Sequence, residues 1–264
     1  MNQYKAILFD LDDTLLVERD SARDSFIEII KSFDLGIDEN EFVRIIREEA
    51  RILWYELPTI EYCLKVGISS WEALWADFDG ADINLKLLSG LVGEYRIKSW
   101  ENALSRFGIC NGSIAQKLGD SFKRIRNTKH IVYPDSIECL EQLKPHYKLG
   151  LITNGATDLQ WKKINGSNLR HYFSAIVISS EYGFAKPDPH LFLEAMSLLK
   201  STSENTIMVG DTLKTDIKGA KEAGIRSIWI NRNNKNCDDP DLKPDYEINS
   251  LSLLKEVLLF IQSK

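Results

Sequence analysis

Ala6-Ile7-Leu8-Phe9-Asp10-Leu11-Asp12-Asp13-Thr14 is the stretch that decides the fold. Its apolar half is short and dense, the pattern of a strand buried on both faces in a parallel sheet. The run then stops at three carboxylates. Acids at the carboxyl end of a buried strand do not serve packing, because burying charge is costly. Crowded there, they repel, share protons or hold a hard cation such as Mg2+ through oxygen ligands. Asp10 and Asp12 stand two residues apart. Both side chains can therefore approach one point as strand gives way to loop, one as a nucleophile and the other as an acid/base. The plainer reading of the segment is a polar turn with a helix cap at Asp13 or Thr14.

Three further stretches end in the same manner. A second apolar run closes on Thr153, Asn154 and Gly155, a hydroxyl, an amide and a glycine. A third, over 175–179, leads to Lys186-Pro187-Asp188-Pro189. There Pro187 favours extended backbone at Lys186, and Asp188 with Pro189 makes an N-cap and first helical position. A fourth run closes on Gly210-Asp211, with Asp216 five residues beyond. Four strands thus deliver polar groups at one end, where an open α/β sheet binds ligands.

Taken in order, Asp10-x-Asp12-x-Thr14, Thr153, Lys186-Pro187 and Gly210-Asp211 followed by Asp216 resemble the haloacid dehalogenase superfamily, chiefly its phosphatase branch. The resemblance implies an α/β fold, a doubly wound parallel sheet with a Rossmann-like core and an inserted all-α cap domain. The core would comprise residues 1–16 and 130–264, and the cap residues 17–129. It implies Asp10 as the nucleophile that forms an aspartyl-phosphate and Asp12 as the general acid/base. The metal would be Mg2+, held by Asp10 and Asp211 together with the main-chain carbonyl of Asp12. Thr153 and Lys186 would bind the phosphate, and Asn154 would add an amide contact or simply form the turn with Gly155. Asp216 supports the site by assisting the metal through water, by orienting Lys186, or by capping the helix that follows. The implied substrate is a small phosphorylated metabolite, a nucleotide or sugar phosphate.

Between the first and second motifs the rhythm changes to helical periodicity, over 25–33, 41–54, 70–77, 83–107 and 114–125. Breaks fall near Gly36, Pro58, Gly80 and Gly108. Four of the six tryptophans, Trp54, Trp71, Trp75 and Trp100, lie in this block, and a helical bundle needs such anchors to bury its own core. Asp77-Phe78-Asp79-Gly80 copies the look of a nucleophile loop but follows a helical pattern, so it is expected to be a helix end with Gly80 as its stop. From Tyr133 onward, strand and helix alternate again to a closing helix over 251–261. The Asn-, Asp- and Pro-rich loop 231–244 is expected to be the flexible segment.

Composition is that of an ordinary soluble protein, 44% hydrophobic and 27% charged, and the net charge of −6 argues against a nucleic-acid or acidic-membrane surface. No apolar run reaches the roughly 18 residues that span a bilayer, no signal peptide is visible, and the scattered cysteines and histidines form no metal-ligand spacing. A cytoplasmic enzyme is expected. A haloacid dehalogenase of the same superfamily lacks the second acid and the metal, so Asp12 and Asp211 weigh against it, and a phosphomutase differs only in the cap. Outside enzymes, a phosphoacceptor signalling module shares the acids and lysine but needs no hundred-residue insertion, and a regulatory relative would have lost motif positions that are filled here.

Overall fold

The unbroken apolar run at the start of the chain forms the strand it predicts. This strand, β1 (Ala6–Phe9), is buried along its whole length in the computed structural model, which describes residues 4–237 and 239–263. The other strands are β2 (Lys148–Thr153), β3 (Ala175–Ile178), β4 (Thr206–Gly210), β5 (Arg226–Ile230) and β6 (Tyr246–Ile248). They form one sheet in the order β3-β2-β1-β4-β5-β6, and every pairing is parallel. Phe9 lies level with Leu151 of β2 and Val209 of β4. The strand order reverses at β1, so the carboxyl ends of β1 and β4 flank the switch point where such sheets open a crevice.

Eleven helices accompany the described strands. Five fall in the long insertion: α1 (Arg19–Ser32), α2 (Glu39–Tyr55), α3 (Ile60–Val66), α4 (Ile83–Ser105) and α5 (Gly112–Thr128). Six more follow: α6 (Pro134–Leu143), α7 (Thr157–Gly166), α8 (Ser179–Tyr182), α9 (Pro189–Leu199), α10 (Lys218–Glu222) and α11 (Leu254–Gln262). Short polar side chains start several of them. Asp38 accepts from the Glu41 amide at 2.7 Å, Asp82 from the Asn84 amide at 2.7 Å, and Asp188 from the His190 amide at 3.0 Å, with Pro189 in the first turn. Among the described residues no helix is long and apolar enough to cross a membrane.

The chain divides into two compact units. The first holds Met1–Val17, Ile131–Asn154 and Ser167–Lys264 and contains the sheet, with Ala6, Leu8, Ile152, Val177 and Met208 packed on Leu191, Phe192 and Leu199 of α9. The second holds Glu18–His130 together with Gly155–Gly166. Its core gathers Trp54, Trp75 and Trp100 with Phe26, Phe42 and Phe122, where Phe26 and Phe122 stack at 4.0 Å between ring centres. The architecture is thus an α/β doubly wound sheet with an all-α insertion.

The expectations for residues 155–166, for 70–77 and for Gly80 need correction. Residues 155–166, expected with the sheet, pack with the helices: Ala156 and Leu159 join the helical core, and Lys163 pairs with Glu18 and Glu72. The helix expected over 70–77 shrinks to a 3-10 turn, Glu72–Leu74, and a separate helix, α3, precedes it. Side chains have taken the carbonyls a helix would use. Tyr95 donates to Ser70 O at 2.6 Å, and Arg96 donates to Leu74 O at 2.7 Å and Ala76 O at 2.8 Å. Consequently the left-handed residue before Gly80 is Phe78, at φ 58°, and Gly80 stops no helix. Within the loop expected to be flexible, Asp238 lies outside the described residues, while Pro240–Leu242 form a 3-10 turn.

Candidate active site

Asp10 is the first residue past β1, and its amide donates to Val209 O at 3.0 Å, so the ladder to β4 fixes its backbone. The residue is 6% exposed, and its carboxylate meets the Lys186 ammonium at 2.6 Å. Lys186 is itself buried. Its Nζ also reaches Asp216 Oδ1 at 2.7 Å and donates to Ile152 O at 2.9 Å, which engages all three of its protons. Asn154, just beyond β2, holds the lysine's backbone from both sides: Nδ2 donates to Lys186 O at 3.0 Å and Oδ1 accepts from Lys186 N at 2.9 Å. The Lys186–Pro187 peptide is cis.

Asp211 follows β4, with Thr212 Oγ1 donating to its Oδ1 at 2.9 Å and Trp229 Nε1 donating to its main-chain carbonyl at 2.8 Å. Asp216 does not cap the following helix. It sits inside a π-helical turn, Leu213–Ile217, and its Oδ2 reaches back to accept from Thr212 N at 3.0 Å. Of the roles expected for it, orienting Lys186 is the one its contacts show. The carboxylate lies so close to β4 that a Cβ on Gly210 would stand 2.4 Å from Asp216 Cγ, which explains the glycine of the Gly-Asp pair.

Asp10, Asp211 and Asp216 can bring one oxygen each within 4.8 Å of the others. Lys186 is the counter-charge seen against this trio. Burial raises the Asp10 carboxyl to about 6, with Lys186 opposing the rise and Asp216 adding to it. Asp211 is pushed further, to about 8, by burial and then by repulsion from Asp10 and Asp216. The Lys186 ammonium is raised in turn, its two carboxylate partners outweighing the effect of burial. An all-oxygen donor set this short of positive charge fits a hard dication.

The Asp12 side chain is not part of this trio. Asp12 is half-buried in the turn that β1 runs into, where it bridges to Leu16. Thr153 is buried at the end of β2, and its hydroxyl lies 3.5 Å from Asn154 O, the long limit for a hydrogen bond, so it keeps its capacity to bind an anion. Trp229 and Thr212 escaped sequence reading. A tryptophan in a buried strand does carry a signal, since its indole N–H needs an acceptor.

Comparisons with known proteins identify the family. The family model described as haloacid dehalogenase-like hydrolase matches residues 4–224. The phosphoserine phosphatase of Thermus thermophilus is 33% identical over 256 residues, covering 97% of this chain and 98% of that protein. The N-acylneuraminate-9-phosphatase of Mus musculus is 28% identical over 268 residues, covering 100% of this chain and 97% of its own length. In fold, the magnesium-bound crystal structure of the HAD-hydrolase YfnB from Bacillus subtilis superposes with a TM-score of 0.68 at 22% identity, covering 97% of this chain and 99% of that one. The chain belongs to the haloacid dehalogenase-like hydrolases, in their phosphatase branch.

Proposed function

We propose that the protein is a Mg2+-dependent phosphomonoester hydrolase that works through an aspartyl-phosphate on Asp10. The observation that carries this reading is the three-carboxylate cluster at the switch point, opposed by the ammonium of Lys186. Mg2+, held by the carboxylates of Asp10 and Asp211 and the main-chain carbonyl of Asp12, would neutralise charge on the phosphoryl oxygens.

Asp10 is the nucleophile: Lys186 fixes its Oδ1, and a carboxylate oxygen bonds to phosphorus as the ester P–O bond breaks. Asp12 gives its proton to the departing oxygen and then takes one from the water that cleaves the aspartyl-phosphate, which releases phosphate and restores Asp10. Thr153 offers its hydroxyl to the phosphoryl group. With its protons engaged, Lys186 acts as a fixed counter-charge more than as a spare donor. Asn154 sets the position of Lys186, and Asp216 orients its ammonium.

The substrate class is a small phosphorylated metabolite, in keeping with relatives named for phosphoserine and N-acylneuraminate 9-phosphate, and within it a nucleotide or sugar phosphate, in keeping with the second of these. Cys63, Cys110, Cys139 and Cys237 are free thiols, which fits a reducing cytoplasm. Phosphate release from p-nitrophenyl phosphate tests the proposal. EDTA should abolish turnover and added Mg2+ restore it; full turnover in metal-free buffer would overturn it.

A further inference from the structure

Arg232 stands two residues past β5, in a loop to which no chemistry has been assigned, yet its guanidinium reaches the turn that carries Asp12. Nη1 donates to Asp135 Oδ2 at 3.0 Å, and Nη2 donates to Asp135 Oδ1 at 3.0 Å and to the main-chain carbonyl of Thr14 at 2.9 Å. The guanidinium carbon lies 3.7 Å from the centre of the Tyr133 ring. Asp135 is fixed in its turn, accepting from Ser250 Oγ at 2.7 Å and from Leu251 N at 2.8 Å. A bidentate fork on an anchored carboxylate, stacked on a ring, has little freedom, and lysine cannot reproduce it.

Thr14 is fully buried, and the turn around it is held at successive carbonyls. Leu15 O accepts from Tyr133 N at 3.0 Å and from Ser136 Oγ at 3.0 Å, and Leu16 O accepts from Asp13 N at 2.8 Å. Asp13 adopts a left-handed φ of 59°, so the chain reverses sharply just past Asp12. Asp10 stands outside this turn, tied to β4 through its amide and to Lys186 through its carboxylate. Movement at Thr14 would therefore displace Asp12 more than Asp10.

We propose that Arg232 is a positioning residue for Asp12: by fixing the Thr14 carbonyl it holds the general acid/base at the leaving-group oxygen. The inference rests on the assignment of Asp12 as acid/base in the proposed hydrolysis. The test measures kcat and KM for Arg232→Gln, Arg232→Lys and Asp12→Asn, with Mg2+, on aryl phosphates that leave easily and alkyl phosphates that need a proton. Arg232→Gln should lower kcat on alkyl phosphates about 10- to 100-fold, less than Asp12→Asn does, with a much smaller loss on p-nitrophenyl phosphate and little change in KM. Arg232→Lys, which can still donate once to Thr14 O, should recover part of the loss on alkyl phosphates. Should Arg232→Gln fail to fold, Arg232→Lys and Asp135→Asn carry the test, each expected to show the same leaving-group bias. An equal loss on every ester, beside a leaving-group-dependent Asp12→Asn, would overturn the positioning role alone. If Asp12→Asn itself shows no such dependence, the Asp12 assignment falls and the Arg232 proposal with it.

Discussion

Glu18, Glu72, Arg126 and Lys163 lie buried within the helical unit much as Asp10, Lys186 and Asp216 lie buried at the strand ends. In the helical unit two anions meet two cations. Lys163 Nζ stands 3.3 Å from Glu18 and 3.1 Å from Glu72, and Arg126 stands 2.7 Å from Glu18 and donates to Ser21 Oγ at 2.8 Å. Both cations also face the Trp75 ring, at 5.3 Å for Arg126 and 5.9 Å for Lys163. At the strand ends, with Asp211 included, three carboxyls gather around the Lys186 ammonium. The carboxyls respond in opposite directions. Burial would raise Glu18, but Lys163 and Arg126 outweigh it and hold the group below its ordinary value, whereas Asp211 rises to about 8. Burial of charge is common to both clusters. The balance of acids against cations is what separates the strand-end cluster from a device that ties helices together.

The largest effect expected at the unbalanced cluster is from Asp10→Asn, which removes the proposed nucleophile and should leave the fold intact by circular dichroism. Turnover should fall by roughly 10^3-fold or more. A near-normal rate would show that the gathered carboxyls serve something other than covalent chemistry. At the balanced cluster the effect falls on stability. Lys163→Met strips the shared cation from two buried carboxylates and should lower the unfolding free energy by about 3–5 kcal/mol. The Mg2+ requirement of the molecules that remain folded should not change. A neutral result in urea titration would mean that water or relaxation screens Glu18 and Glu72.

The smallest and sharpest contrast is in pH dependence. Glu18 has a folded pKa below its unfolded value of 4.5, so its contribution is present above that value and is lost as pH falls through the folded pKa. Asp10 and Asp211 are raised, so in EDTA their contribution is full below 3.8 and is lost as pH rises through about 6 and about 8. Urea midpoints across this range should show Glu18→Gln flattening the acid limb and Mg2+ removing the decline toward pH 8. Slopes of one sign at both clusters would end the distinction.

Legibility in the sequence followed locality. Asp10, Thr153 and Asp211 stood out because each follows or closes a short apolar run, and a strand end announces itself over four or five residues, whereas Lys186, eight residues past β3, stood out through the proline that follows it. For Asp216 and Asn154 the sequence left several readings open. Each makes its contact with Lys186 across the sheet, and the π-helical turn that aims Asp216 has no periodic signature. The expected helix over 70–77 failed for a related reason, since its carbonyls are claimed by Tyr95 and Arg96, at least 20 residues downstream. Lys163 looks like any solvated helical lysine until its two glutamates, one of them 91 residues away, are seen around it.

That lysine makes the linear map of the molecule misleading. The helical unit is two pieces of chain, 18–130 and 155–166, so the polypeptide passes between the units four times rather than twice. A fragment cut at the evident boundaries, 18–130, would take Lys163 away from the buried Glu18 and Glu72, leaving Arg126 on Glu18 and only the Ser69 contacts seen on Glu72 among the described residues. On the ribosome the same shortage would persist until residue 163 emerges, by which time β1 and β2 have both been made. Anyone grafting this insertion onto another member of the family would therefore have to carry the second piece with it.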